Sequence, residues 1–222
     1  RSVSRGLGDV YKRQNLVCLE PFSGSGTTAL ELQNCGIACF AFEVNPLMYL
    51  IARVKLENGY ELERFEYWYD YIVKERSKKI VELETEFNTL YQGEGKKKWN
   101  YNTDIGIAVE KLRQVIESIS EVIYKELFKV ALAAILLDVS NLYRNGKCLS
   151  YKKKWEDRKI VEKDVFDKFD EKVLKELKCD IENSITRTKI NNKERLYNQD
   201  SRIGIANEVD DNSIDLVLSL IH

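Results

Sequence analysis

Residues 17–28 read VCLEPFSGSGTT, an apolar run that stops at a proline and is followed by a glycine-rich turn. This pattern predicts a buried parallel strand over 15–20 and a helix over 27–35. A second apolar run, IACFAFEV, follows at residues 37–44 and predicts another buried strand. Strand, glycine turn, helix and strand in succession form one βαβ unit, so we predict an α/β fold.

The glycine turn has the features of a cofactor-binding site. Gly24 and Gly26 carry no Cβ atoms that would keep a ligand away from the backbone, and the helix after them directs free N–H groups toward an anionic group. Glu43, at the end of the second strand, is placed to accept hydrogen bonds from ribose hydroxyls. No lysine follows the glycines, as an ATP- or GTP-binding P-loop requires. NAD stays open on spacing alone, because Gly24, Gly26 and Ala29 satisfy GxGxxA.

The residues around the glycines also resemble one family. Residues 20–28, EPFSGSGTT, are similar to the motif Asp-Pro-Phe-x-Gly-Ser-Gly-Thr-Thr of the N4-cytosine and N6-adenine DNA methyltransferases, with Glu20 in place of the usual aspartate. The resemblance covers residues 16–55 and includes FEVNP at residues 42–46, where the family has an acidic strand end followed by Asn-Pro. It implies that S-adenosylmethionine (SAM) is the cofactor, with its methionine portion near the glycines and its ribose on Glu43.

A second segment, residues 198–219, resembles the later part of the same family. Residues 212–217, NSIDLV, match the stretch before the family's fourth strand, and Asp200 stands where an aspartate contacts the adenine of SAM. A turn acid or a helix N-cap is the alternative reading of Asp200. The two segments together imply this set of cofactor-binding residues: Glu20, Pro21, Phe22, Gly24, Gly26, Thr27, Glu43, Asn45 and Asp200.

The resemblance places the catalytic motif at Ser219. The family continues there with two prolines and an aromatic ring, which prepare the target amino group and stack on the flipped-out base. Here Leu220, Ile221 and His222 follow instead. Ser219 is therefore the catalytic residue that we assign, and we expect this chain, as a fragment, to be inactive in methyl transfer. A serine at this position mildly favours cytosine N4 over adenine N6 as the target.

Between the two segments the sequence changes to a helical pattern. Apolar residues recur at three- and four-residue steps over 59–90, 104–143 and 162–178, which predicts three long helical stretches. Strand character returns at 195–199 and 214–219, where we expect Val217 and Leu218 to be buried. We therefore predict a Rossmann-like SAM-dependent methyltransferase sheet, incomplete, with a large helical insertion.

This interpretation divides the chain into five parts. Residues 1–14 and 220–222 resemble translated adapter sequence, and we interpret both as non-native tails. Residues 15–57 form the first part of the SAM-binding domain, 58–194 the helical insertion, and 195–219 the return to the methyltransferase core.

The insertion contains a basic segment with aromatic residues between its charges. Residues 141–160 hold seven Lys or Arg against two acids, a local charge of +5. Cations that neutralise phosphates and aromatics that stack on bases suit contact with DNA, although a solvated charged face is the alternative. A loop at residues 96–99, KKKW, is a second and weaker candidate. The predicted nucleic-acid contacts are Arg144, Lys147, Lys152, Lys153, Lys154 and Trp155.

Composition excludes several other classes of protein. The net charge is −1, so nucleic-acid binding depends on local patches. Five cysteines form no CxxC pair, which favours free thiols. The one histidine is His222, which excludes a histidine-based zinc site or a Ser-His-Asp triad, and we predict no metal. Without a signal sequence or an apolar run of membrane-spanning length, we expect a cytoplasmic protein with no membrane contact.

These observations predict a SAM-dependent DNA methyltransferase fragment that acts on the exocyclic amino group of cytosine (N4) or adenine (N6). Its partner would be double-stranded DNA with the target base flipped out, and a restriction nuclease is a candidate second partner, as in restriction-modification systems. Two alternatives stay open. One is an RNA or tRNA amino-methyltransferase, and the other is a non-catalytic module that binds SAM or nucleic acid.

Overall fold

The computed structural model describes residues 16–84, 89–184 and 190–218. The predicted tails (1–14 and 220–222) and the predicted catalytic residue Ser219 lie outside these ranges. The chain divides into two compact units. The first comprises the described residues up to Gly59 and from Ser184 onward, and the second comprises Tyr60–Asn183.

The two units are built from the following elements. The helices are α1 (Thr27–Asn34), α2 (Pro46–Leu56), α3 (Leu62–Arg76), α4 (Thr103–Glu117), α5 (Val122–Val139), α6 (Glu162–Lys172), α7 (Lys178–Ser184) and α8 (Ser201–Glu208). The strands are β1 (Val17–Glu20), β2 (Ala38–Phe42), β3 (Leu142–Asn145), β4 (Cys148–Tyr151), β5 (Leu196–Tyr197) and β6 (Leu216–Val217). A π-helical turn, Val173–Leu177, joins α6 to α7, and 3-10 turns lie at Trp155–Asp157 and Asn192–Arg195.

The first unit contains a parallel sheet with the strand order β5-β2-β1-β6. Leu19 of β1 pairs with Phe40 of β2 on one side and with Val217 of β6 on the other. The predicted α/β class is therefore confirmed. From β1 the chain continues outward through β2 and β5 on one side, whereas β6 lies on the other. Such a change of direction marks the position where open α/β sheets bind ligands, outside the carboxyl ends of the strands.

Small side chains let the helices approach this sheet closely. Cys18, Ala29, Cys39, Ala41 and Ala52 are all buried in one cluster. On the carboxyl side of the sheet, α8 approaches Phe42 at Gly204, where a Cβ atom would lie 2.4 Å from the ring. The absence of that Cβ atom allows the first residues of α8 to lie beside the end of β2.

A buried asparagine fixes the returning chain to the βαβ unit. Asn192 is fully buried, and its Oδ1 accepts a hydrogen bond of 3.0 Å from the N–H of Cys39. Its Nδ2 donates to the carbonyls of Ala29 and Ile37, at 3.2 and 3.0 Å. Its backbone N–H donates to Oε1 of the buried Gln33 at 2.8 Å. Asn192, which the sequence analysis counted with the insertion, is thus part of the interior of the first unit.

The second unit is a group of helices with a two-stranded hairpin. Phe65 of α3, Phe128 of α5 and Phe169 of α6 are fully buried, and the first two rings stack with centroids 5.5 Å apart. Arg76, at the end of α3, forms a two-pronged ion pair with Asp170 of α6, at 2.6 and 2.8 Å. β3 and β4 form an antiparallel pair in which Asn145 lies opposite Cys148. Among the described residues, no helix combines the length and the apolar character that crossing a bilayer requires.

Several helix predictions for this unit are wrong in detail. Of the described residues in the stretch predicted over 59–90, Leu62–Arg76 are helical, and Ile80, which the pattern assigned to a buried face, is 92% exposed. The stretch predicted over 104–143 is broken at residues 118–121, because Ser118 turns its hydroxyl back to the carbonyl of Val115 at 2.7 Å. The third stretch, over 162–178, is confirmed and continues to Ser184.

The end of the sheet also differs from the prediction. β5 and β6 each contain two residues, within the predicted segments 195–199 and 214–219. Val217 is 57% exposed rather than buried, because β6 pairs with β1 alone among the described strands. Leu218 packs against the core of the first unit but is only partly buried, so the prediction that it is buried holds in part.

Candidate functional site

The cofactor-binding residues predicted from two distant segments lie at one edge of the sheet. Phe22 follows β1, Glu43 follows β2 and Asp200 follows β5, so all three lie at the carboxyl ends of parallel strands. They share a cavity of about 240 Å³. The residues that line it are Pro21, Phe22, Phe42, Glu43, Val44, Gln199, Asp200, Ser201 and Arg202.

Glu43 connects the end of β2 to the glycine turn. Its Oε2 accepts a hydrogen bond of 2.7 Å from the N–H of Gly24, and its Oε1 accepts one of 2.8 Å from the N–H of Asn45. The side-chain amide of Asn198 donates to the backbone carbonyl of Glu43 at 2.7 Å. A carboxylate has about four acceptor positions, so these two bonds leave capacity on both oxygens for hydroxyl groups of a ligand.

The two glycines of the turn are needed for different reasons. Both have a positive φ, +54° at Gly24 and +75° at Gly26, where residues with a Cβ atom are strained. At Gly24 no atom lies within 4 Å of the position that a Cβ would take, so that side of the turn is open. At Gly26 a Cβ would lie 2.6 Å from the Cβ of Ala52 in α2. Gly26 therefore makes room for α2, and its predicted contact with a cofactor stays a prediction.

Glu20 places a buried carboxyl group beside the start of α1. It is 4% exposed, and both its Oε2 and the buried Oγ of Ser23 lack a well-aligned hydrogen-bond partner among the described residues. Burial raises the pKa of Glu20, and interactions with the hydroxyls of Thr28 and Ser23 and with the N–H of Ala29 oppose that rise. Glu20 therefore has acceptor capacity for a donor or a cation. Thr28 is the threonine that interacts with Glu20, and the predicted contact of Thr27 with a cofactor stays a prediction.

Asp200 begins α8 as its N-cap. Its Oδ1 accepts a hydrogen bond of 2.9 Å from the N–H of Arg202, so the helix-cap alternative describes its local role. The Arg202 guanidinium also binds both carboxylate oxygens, with Nη2 to Oδ2 at 2.6 Å and Nε to Oδ1 at 3.0 Å. These contacts with Arg202 lower the pKa of Asp200 to about 2. The side chain thus stays ionised at the cavity wall.

Asn45 has a local structural role beside this site, while its predicted contact with a cofactor stays a prediction, and Arg202 is a lining residue that the sequence analysis did not name. Asn45 is the N-cap of α2, because its Oδ1 accepts hydrogen bonds from the N–H groups of Leu47 and Met48, at 2.9 and 3.3 Å. Its role is to start the helix, with Pro46 in the first position. Arg202 lines the cavity and was missed. A cation two residues after a capping aspartate is the signal that indicates this pairing.

The predicted nucleic-acid residues divide into two groups. The Lys152 ammonium donates to the carbonyls of Leu137, Asp138 and Ser140, at 3.4, 3.0 and 2.7 Å, and so caps the end of α5. Trp155 is 6% exposed, so its ring is not available for stacking on a base. Trp155 therefore has a structural role rather than a stacking one. Lys152 has a structural role at the end of α5, and its predicted contact with nucleic acid stays a prediction. Arg144, Lys147, Lys153 and Lys154 are exposed.

Comparison of the chain with protein-family models, with curated proteins and with solved structures finds no match in any of the three. A functional assignment therefore depends on the residues of the cavity and on the sequence motifs that they belong to.

Proposed function

We propose that the first unit binds SAM and that the protein is a methyltransferase acting on the exocyclic amino group of a DNA base, cytosine N4 or adenine N6. The observation that carries this proposal is the contact between Glu43 and Gly24 at the edge of a cavity that also contains Phe22 and Asp200. The cavity brings together residues from both segments in which the sequence resembles amino-methyltransferases.

The cavity suits the adenosine part of SAM. Phe22 is 56% exposed at its wall, so its ring is available to pack against a purine. Asp200 presents an ionised carboxylate that can accept a hydrogen bond from an exocyclic amine, and Glu43 has acceptor capacity for the ribose hydroxyls. Arg202 holds the Asp200 carboxylate in place through their ion pair.

The glycine turn suits the methionine part. Gly24 leaves open space beside the backbone, and Glu20 offers a buried carboxyl oxygen, Oε2, without a well-aligned hydrogen-bond partner among the described residues. An ammonium group is the kind of donor that a buried carboxylate needs, since an unpaired buried charge is costly. When bound, SAM supplies an electrophilic methyl group on a sulfonium.

The same carboxyl group argues against NAD. Dinucleotide-binding sites place a pyrophosphate at the N-terminus of the helix after the glycines. Here Glu20 interacts with Thr28 and with the N–H of Ala29, in the first turn of α1. An acid in that position repels a pyrophosphate, whereas it attracts the cationic end of SAM.

The choice of DNA as the methyl acceptor depends on the second unit and on the sequence motif around Ser219. The four exposed cations of residues 144–154 favour a polyanion as the partner. Two alternatives are an amino-methyltransferase that acts on RNA and a non-catalytic binding module. A comparison of binding to duplex DNA and duplex RNA separates the first alternative from the proposal.

Calorimetric titration of the full chain with SAM, S-adenosylhomocysteine and NAD tests the cofactor assignment. We expect SAM and S-adenosylhomocysteine to bind and NAD to bind at least tenfold more weakly. The variant Glu43→Gln should weaken SAM binding by about tenfold, the loss of roughly one charge-assisted hydrogen bond. Glu31→Gln, an exposed substitution of the same kind on α1, is the matched control and should bind as the unchanged protein does. Preferential NAD binding would overturn the proposal.

A further inference from the structure

Two basic segments that lie about fifty residues apart in the sequence are joined in the second unit. The backbone N–H of Asn141 donates to the carbonyl of Asn100 at 2.8 Å, and its Nδ2 donates to the carbonyl of Trp99 at 3.2 Å. The Tyr151 hydroxyl donates to Oδ1 of Asn100 at 3.3 Å. The loop that begins with Lys96, Lys97 and Lys98 is therefore attached to the β3–β4 hairpin.

Aromatic rings form the base of this junction. Trp99 contacts Trp155 edge to face, with centroids 4.9 Å apart, and Tyr151 lies 5.0 Å from Trp155. The ammonium of Lys98 lies 5.4 Å above the Tyr151 ring, so a cation of the loop is in contact with a residue of β4. The rings of Trp99, Tyr151 and Trp155 thus hold the two basic segments together.

Within the part of the chain that the structure describes, the exposed cations on this junction form no ion pair with an acidic side chain. We name them together the composite basic surface: Lys97, Lys98, Arg144, Lys147, Lys153 and Lys154. None of the six forms an ion pair with a described residue, whereas Arg64, Arg76, Lys111 and Lys129 of the same unit each have a carboxylate partner. No acidic residue occurs between Leu142 and Lys154. The intervening Lys152 and the nearby Arg158 both donate to carbonyls at the end of α5.

The shape of the hairpin narrows the choice of polyanion. β3 and β4 are connected by the two residues Gly146 and Lys147, with Gly146 at φ +58°, as a tight two-residue turn requires. Arg144 pairs across the strands with Leu149, and both side chains are exposed. A two-stranded ribbon of this kind fits the major groove of B-form DNA, whereas the major groove of A-form RNA is too deep and narrow to admit side chains. The tip, Asn145-Gly146-Lys147, is polar, which disfavours insertion into a lipid surface.

We propose that the composite basic surface is the DNA-binding surface of the second unit, with the β3–β4 hairpin directed at a groove and the lysines of both segments on the phosphates. The choice of DNA rests on the function proposed above. The surface itself is defined by contacts within the second unit.

Fluorescence anisotropy of the full chain, without cofactor, on a mixed-sequence DNA duplex tests this proposal. The duplex RNA of the same sequence and vesicles of phosphatidylserine and phosphatidylcholine are the comparison ligands. The test variant is Lys153→Gln with Lys154→Gln, and the matched control is Lys74→Gln with Lys175→Gln, which removes two exposed lysines from the helical part of the same unit. Thermal unfolding of each variant shows that the fold is kept.

The salt dependence is the deciding measurement. Each lost phosphate contact lowers the slope of log K against log salt by about 0.9 on B-form DNA. We expect the test variant to lower the slope by about 2 and the control to leave it unchanged. Equal slopes in the two variants would overturn the proposal, and tighter binding to duplex RNA or to vesicles would overturn the assignment to DNA. Because SAM titration is a separate measurement, a failure here is distinguishable from a failure of the cofactor assignment.

Discussion

The carboxylate of Glu43 accepts a 2.7 Å hydrogen bond from the backbone N–H of Gly24, nineteen residues earlier in the chain. Its other oxygen accepts from the N–H of Asn45, so one side chain holds both the glycine turn after β1 and the turn after β2. A ligand that binds Glu43 therefore contacts a group that already sets the backbone at two strand ends. Substitutions in the glycine turn can therefore distinguish residues needed for packing from residues needed for ligand binding.

Substitution of the two glycines by alanine should have different effects. Gly26→Ala adds a Cβ atom 2.6 Å from that of Ala52 and keeps a positive φ, so we expect a loss of about 2–4 kcal/mol in the free energy of unfolding. Gly24→Ala meets open space and has only the backbone cost, about 1 kcal/mol. Denaturant unfolding measures both losses. In SAM titration, the loss of affinity relative to the loss of stability should be larger for Gly24→Ala than for Gly26→Ala. Equal destabilisation would contradict the packing role of Gly26.

The stability of Glu20→Gln, relative to that of the unchanged cofactor-free protein, should increase as the pH rises. Burial raises the pKa of Glu20 in the folded state, so over the interval between its unfolded and folded values the folded protein binds more protons. Stability attributable to this group is then full at low pH and falls as the pH rises through that interval. Glutamine does not titrate, so the difference in Tm between Glu20→Gln and the unchanged protein should increase from pH 4 to pH 7.

The same variant should bind SAM more weakly, because the ammonium group loses its carboxylate partner. Glu31→Gln again provides the control, since that side chain is exposed on α1. A Tm difference that does not change with pH would show that Glu20 does not titrate differently in the folded state.

The βαβ unit could be predicted from sequence because its signals are local. An apolar run, a proline and two glycines follow one another directly in residues 17–28, and each acts on the backbone where it stands. The junction of Asn45 and Pro46 likewise marks the start of α2. The cavity could be anticipated only through the family resemblance, because no periodicity connects Glu43 with Asp200.

What could not be predicted depends on tertiary contacts. Asn192 lies in a polar stretch, and only the fold brings it to the carbonyls of Ala29 and Ile37. Periodicity assigned Ile80 to a helix that ends at Arg76, where an ion pair to Asp170 fixes the last turn. The β3–β4 hairpin did have a local signal, Gly146 as the first residue of the two-residue turn, which the charge pattern of the segment obscured.

Asp200→Asn should flatten the loss of stability in acid, because the variant already lacks at neutral pH the stability that the ion pair with Arg202 adds. Asparagine is as good an N-cap as aspartate, so α8 keeps its first hydrogen bond. The contacts with Arg202 lower the pKa of Asp200 to about 2, so the stability that this group contributes is present above its unfolded pKa and is lost as the pH falls from about 4 to about 2. Thermal unfolding between pH 2 and pH 5 should show a smaller loss in Asp200→Asn. Arg202→Gln should give a similar profile, and a profile like that of the unchanged protein would contradict the ion-pair assignment.

Lys152 and Lys153 are adjacent in sequence but should respond to substitution in opposite ways. Lys152 donates to three carbonyls at the end of α5, and burial lowers its pKa, whereas Lys153 is exposed. Lys152→Met removes a donor that these carbonyls share, although Arg158 still donates to the carbonyl of Ser140 and the Ser140 hydroxyl to that of Leu137. We therefore expect a loss of about 1–3 kcal/mol in the free energy of unfolding. Lys153→Met should leave stability within about 0.5 kcal/mol of the unchanged protein.

The effects of the two variants on DNA binding should be the reverse of their effects on stability. Lys153→Met should lower the salt slope of binding to duplex DNA by about 0.9, and Lys152→Met should leave it unchanged at temperatures where the variant is folded. Urea unfolding and anisotropy on the same two preparations measure both effects. If Lys152→Met lowers the slope as much as Lys153→Met does, the Lys152 ammonium contacts phosphate, and its structural assignment is wrong.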